Sequence, residues 1–194
     1  NKENINFKID SDIQLKPFYF NGELTIHDKK IENIIDNIFL YMFLYDENYL
    51  GNINGNLKVK LSNLNNKLIN KGEIDFYINE KKIKSKNSMI DLGKIGNIET
   101  KISFNENQGD IIFSSKNVLY VKNYIEFAKV FQIGFRKLKN LEKIYFDLER
   151  NVGDTNFTIS NIRINNPDDK KNAKKKFAIK NIQNLRASIK KVIN

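Results

Sequence analysis

Along about the first 165 positions, apolar and polar residues alternate in short runs separated by turn-forming residues. Ile74, Phe76 and Ile78 alternate with Glu73, Asp75 and Tyr77. Leu57, Val59 and Leu61 alternate with Asn56, Lys58 and Lys60, and Ile144, Phe146 and Leu148 with Tyr145, Asp147 and Glu149. A period of two sends one set of side chains to each face of a sheet, so each run has one face that leaves water and one that stays in it. What covers the apolar face is therefore the functional question.

The pattern predicts further strands at Ile5–Ile9 and Ile13–Leu15, separated by a turn at Asp10-Ser11-Asp12, whose short polar side chains bond to their own backbone. Asn21-Gly22, between Phe18–Phe20 and Leu24–Ile26, reads as a hairpin turn or as a bulge in one longer strand. Gly72–Ile78 pairs with Lys82–Lys86, Ile98–Phe104 with Asp110–Ser114, and Lys143–Glu149 with Asn156–Ile164; Pro167 ends the strand region. Helical spacing of Ile31, Ile34, Ile35, Ile38 and Met42 predicts a helix near 29–45, and a shorter one lies near 123–132. In the tail, Ala178, Ile182, Leu185, Ile189 and Val192 recur at four-three-four-three spacing, which predicts an amphipathic helix. The organisation expected is one sheet domain over 1–167 with inserted helices, followed by a basic amphipathic C-terminal helix over 168–194.

Charge divides along the same line. The chain of 194 residues carries +10, of which the last 27 residues hold nine Lys or Arg against two acids, while the other 167 hold 24 basic against 21 acidic residues. The basic character belongs to the tail, where Lys174, Lys180, Arg186 and Lys190 lie largely off the apolar stripe and are the candidates for contact with a membrane surface. The competing reading is a helix that caps an open end of the sheet, with its lysines solvated. A body so nearly balanced offers no electrostatic funnel for nucleic acid, so specific nucleic-acid binding is not expected despite Tyr120, Tyr124 and Tyr145.

Candidate chemistry is sparse. Cys is absent, which excludes disulfides and Cys-ligated zinc, and His27 is the only histidine, which excludes a multi-histidine metal site. Gly93-Lys94-Ile95-Gly96 lacks the remaining residues of a phosphate loop and reads as a turn. Neither an enzyme nor a cofactor is expected. The apolar run Ile38–Tyr45 is too short to span a bilayer, and the polar opening at Asn1 is unlike a signal peptide, so the chain is expected to be a mature or truncated piece of a longer protein.

Several motifs together carry a resemblance. Gly-x-Ile-x-Gly-x-Leu at Gly51–Leu57, Gly-Glu-Ile-x-Phe at Gly72–Phe76, Lys-Asn-Val-Leu from Lys116, Ile-Glu-Phe from Ile125, Ile-Tyr-Phe-Asp-Leu from Ile144 and Thr-Ile-Ser-Asn-Ile from Thr158 resemble the C-terminal part of the AsmA-like family of bacterial envelope proteins. The resemblance implies a mostly β fold with flanking α-helices, in which a long curled antiparallel β-sheet forms an open groove. It also implies a periplasmic protein tethered to the inner membrane by a segment absent from this chain, holding or conveying phospholipid or another envelope lipid. Ile74, Phe76, Ile78, Ile102, Phe104, Ile144 and Phe146 are then the groove-lining candidates. Ten or so strands, at about 4.8 Å each, make a groove on the order of 50 Å long, one end of a conduit rather than a bridge. The alternative is an envelope scaffold or assembly factor that acts through contacts at the sheet edge. A hollow apolar concavity favours lipid, and a filled core with an exposed edge favours the scaffold.

Overall fold

The computed structural model describes residues 6–16, 18–27, 54–62, 68–79, 82–107, 110–152, 154–169, 175–180 and 182–193. It is mostly β, one large curled sheet with helices at its flank. Among the described residues, ten strands follow one another across the sheet in chain order: β1 (Asn6–Leu15), β2 (Phe18–His27), β3 (Asn54–Ser62), β4 (Lys71–Asn79), β5 (Lys82–Asp91), β6 (Gly96–Asn107), β7 (Asp110–Val121), β8 (Lys143–Asn151), β9 (Phe157–Ile164) and β10 (Phe177–Ile179). Helix α1 (Tyr124–Phe131) and a 3₁₀ turn (Phe135–Leu138) stand between β7 and β8, and α2 (Ile182–Ile193) follows β10. Neighbouring strands are antiparallel except β2 and β3, which run parallel. Their connection must therefore return the chain to the end of the sheet where β2 began. The residues of the helix expected near 29–45 fall in that connection and lie outside the described residues.

Three expectations from the pattern are corrected. Asp10-Ser11-Asp12 makes no turn: β1 runs straight through it, because Asp10, Ser11 and Asp12 pair in unbroken register with Glu23, Gly22 and Asn21. The same register removes both the hairpin and the bulge at Asn21-Gly22, and the reversal falls between Leu15 and Phe18. In the tail, Phe177–Ile179 forms β10 on the edge of β9, and helix begins only at Ile182. Pairing with β9 satisfies edge backbone groups that a longer helix would leave open, and the Asn184 side chain accepts a hydrogen bond from the Lys180 N–H at the helix entrance.

The turn at Gly93-Lys94-Ile95-Gly96 is as the pattern predicts. Gly93 takes φ +61, the Leu92 N–H donates to the Gly96 carbonyl at 2.8 Å, and the Gly93 N–H donates to the Asp91 carboxylate at 2.9 Å. Asn123 caps α1 by accepting from the N–H groups of Ile125 and Glu126, which satisfies two of the four donors a helix start leaves open. Past the end of β9, Asn165 sits at φ +57; its Oδ1 accepts from the N–H groups of Glu142 and Lys143 at 2.9 and 3.0 Å and pins the entry to β8. Asn165→Ala is expected to cost about 1–3 kcal/mol, since it strands those donors and keeps a left-handed backbone without Asn. Urea denaturation checks this, and an unchanged midpoint would show that water replaces the clamp.

The apolar side of the sheet builds two cores. One gathers Leu119, Ile144, Ile159 and Ile162 beneath Phe127 and Phe131 of α1, Leu138 of the 3₁₀ turn and Ile189 of α2. Phe127 and Phe131 stack with centroids 4.3 Å apart. The other gathers Leu24, Ile26, Val59, Leu61, Ile74, Phe76, Ile78, Ile83, Ile102 and Phe104, extended by Phe20, Leu57, Ile111 and Phe113. Between them a buried polar row, Ser88, Thr100 and Asn117, crosses three adjacent strands in register. Asn117 Nδ2 donates to Ser115 Oγ at 2.9 Å and to the Phe146 carbonyl at 3.2 Å. The apolar face is thus interrupted rather than continuous.

Candidate functional site

The seven groove candidates divide unevenly. Ile74, Phe76, Ile78, Ile102, Phe104 and Ile144 are buried, and Phe146 is half-buried. Phe104 packs against Phe76 and Phe113 with centroids 6.4 and 5.4 Å away. These side chains belong to the protein's own core, packed within its two clusters of buried apolar residues. Among the described residues, the face is open at β1. Ile9 pairs across the ladder with Leu24, Ile13 with Phe20 and Leu15 with Phe18, so all three lie on the apolar face. Yet Ile9 and Ile13 are 60% exposed and Leu15 74%, whereas Leu24 is 3% exposed. Among the described residues no strand pairs with the outer edge of β1.

The membrane-surface candidates do not share an exposed stripe. Lys174 lies outside the described residues, Lys180 is exposed just before α2, and Arg186 and Lys190 are half-buried on it. The apolar stripe of α2 is spent on the protein itself, since Ile189 is buried in the helix-covered core with Leu185, Val192 and Ile193 packed around it. Ala178, expected on that stripe, is exposed on β10.

His27 ends β2, where parallel pairing sets it beside Ser62 of β3. The Ser62 hydroxyl and His27 Nδ1 are 2.8 Å apart. Sequence reading had no access to this pair, which is separated by 35 residues and joined only by the parallel ladder. The distance suits a nucleophile and its base, but such chemistry also needs a third group that orients the imidazole and donors for a developing oxyanion. Asp28, the neighbouring carboxylate, lies outside the described residues. As it stands, the contact satisfies two half-buried polar groups.

A large concavity lies on the opposite, polar face of the curled sheet. It measures about 1280 Å³, and most of its lining comes from alternate residues of β3 to β8 that point away from the cores. Its carboxylates are all engaged. Glu73 and Asp75 take Lys58 at 3.0 and 3.6 Å, Glu99 accepts from the Tyr120 hydroxyl at 3.0 Å, and Asp147 accepts from Asn161 Nδ2 at 2.6 Å. Asp91 accepts from Asn70 Nδ2 and the Gly93 N–H, and these bonds hold its carboxyl below the usual range. The hydrogen bond to Glu73, followed by the charge of Asp75, holds the Lys58 ammonium above the usual lysine range. Hydrogen bonding to Glu99, with desolvation behind it, pushes the Tyr120 hydroxyl up.

Comparison of the chain with protein-family models, with curated proteins and with solved structures finds no match in any of the three.

Proposed function

We propose that this protein is a non-enzymatic lipid-handling module of the bacterial cell envelope, working in the periplasm, and that acyl chains meet it at the open β1 end of its apolar sheet face. One observation carries the reading. An apolar face that is sealed by helices at its β9 end loses its cover at β1, where Ile9, Ile13 and Leu15 continue it into solvent. Three large apolar side chains on one face of one strand, with Ser11 between Ile9 and Ile13, form a patch that soluble surfaces seldom leave uncovered. Covering them with acyl chain stabilises the complex by about 25 cal/mol per Å² of apolar area removed from water. The strand-and-glycine resemblance to AsmA-like proteins supports the same reading, with contact moved from the mid-sheet candidates to β1.

Native mass spectrometry of protein purified from bacterial membranes tests it. The expected result is co-purified phospholipid that Ile13→Asp sharply reduces while the melting temperature holds, because Ile13 is already exposed. Lipid-free protein, or lipid retained equally by the variant, would sink the proposal.

The outer edge of β1, with which no strand among the described residues pairs, favours a second reading, in which a partner strand adds to that edge and the module acts as a scaffold. Light scattering separates the two readings, since a partner adds protein mass and a lipid does not.

A further inference from the structure

The polar concavity has cations to spare. Lys86, Lys101 and Lys116 stand abreast on β5, β6 and β7. Lys101 is directly opposite Lys116 in the ladder, and Lys86 faces them from the irregular stretch where β5 shifts register against β6. All three are exposed and line the concavity. None makes an ion pair among the described residues. Lys86 Nζ rests 4.7 Å from the centre of the Tyr77 ring, and Asp147, opposite Lys116 on β8, is taken by Asn161. The other carboxylates of the concavity are bound to Lys58, Tyr120, Asn70 and Gly93, as described above.

Like charges directly opposite on paired strands destabilise a sheet, and against these three ammonium groups the ladder sets one carboxylate directly opposite, Asp147 across from Lys116, which leaves a surplus of positive charge. Adjacent strands lie about 4.8 Å apart, so three ammonium groups abreast span about 10 Å, which suits an anion with several charged oxygens. Lysine binds such groups as a point charge with three donors. A concavity of about 1280 Å³ leaves room for the ligand and its water. We infer that the polar face of the sheet is a binding site for a phosphate-bearing ligand, held across β5, β6 and β7 by Lys86, Lys101 and Lys116. The site is independent of how the apolar face is used, because its residues point the other way.

Phosphate chemistry reaches such a site either on a soluble ligand or on a lipid headgroup, and two probes separate these sources. The first is pyrophosphate, followed by calorimetry and by thermal shift against sodium chloride of equal ionic strength. The second is flotation with vesicles of anionic phospholipid. Each is run on the native chain, on a variant carrying Lys86→Gln, Lys101→Gln and Lys116→Gln, and on a charge-matched control carrying Lys175→Gln, Lys176→Gln and Lys180→Gln.

The expected result is that at least one probe binds the native chain and the control, and that the β5–β7 variant loses at least tenfold in affinity for it. Loss with pyrophosphate identifies a soluble ligand, and loss with vesicles alone a headgroup. Without ligand, the β5–β7 variant melts at or above the native temperature, because it removes the repulsion between Lys101 and Lys116; this shows that lost binding is not lost folding. Binding of neither probe to the native chain, equal affinity of the native chain and the β5–β7 variant, or loss in the control alone would overturn the inference.

Discussion

Removal of residues 171–194 is expected to lower the melting temperature by on the order of 10 °C and to expose surface that binds hydrophobic dye, while binding to anionic vesicles changes less. The reason is the position of α2. Ile189 is buried in the core that α1 and the 3₁₀ turn also cover, with Leu185, Val192 and Ile193 packed around it. Truncating one such buried side chain to alanine costs about 2–5 kcal/mol. Each kcal/mol moves the melting point of a chain this size by about 2–4 °C. The truncation also removes β10 and so uncovers the outer edge of β9. Differential scanning fluorimetry and vesicle flotation measure the two outcomes. Unchanged melting together with abolished vesicle binding would reverse the assignment of α2 from cap to membrane element.

The second large effect falls at a single glycine. Gly96→Ala is expected to destabilise the chain by about 3 kcal/mol, while Gly93→Ala, three residues earlier in the same turn, costs about 1 kcal/mol. Both glycines take positive φ, +153 at Gly96 and +61 at Gly93. They differ in what a methyl group would meet. At Gly93 nothing lies within 4 Å, whereas at Gly96 a Cβ would stand 1.9 Å from the Tyr120 carbonyl oxygen. That oxygen is backbone of β7, which pairs with β6 through Gly96 and Val121, so neither strand can yield without breaking the ladder. Chemical denaturation of the two variants side by side measures the difference. Equal losses would show that β7 gives way at Tyr120.

Alternation by itself determined much of this protein. Ile74, Phe76 and Ile78 are buried and Glu73, Asp75 and Tyr77 face the other way, as a period of two requires. The α1 helix, the turn at Gly93–Gly96 and the apolar side of α2 were legible too, because each depends on residues within a few positions of one another.

Whatever depends on pairing between distant segments was not legible. Alternation marks a face as apolar but is silent on what packs against it, so mid-sheet candidates such as Phe76 and Phe104 became core, and the open apolar surface moved to β1. Asp10-Ser11-Asp12 carries turn chemistry that ten residues of pairing with β2 overrode. The meeting of His27 with Ser62 needed the parallel ladder, and the alignment of Lys86, Lys101 and Lys116 needed the register of β5, β6 and β7. Register is a property of two strands together, and a one-residue slip would carry each of these side chains to the opposite face.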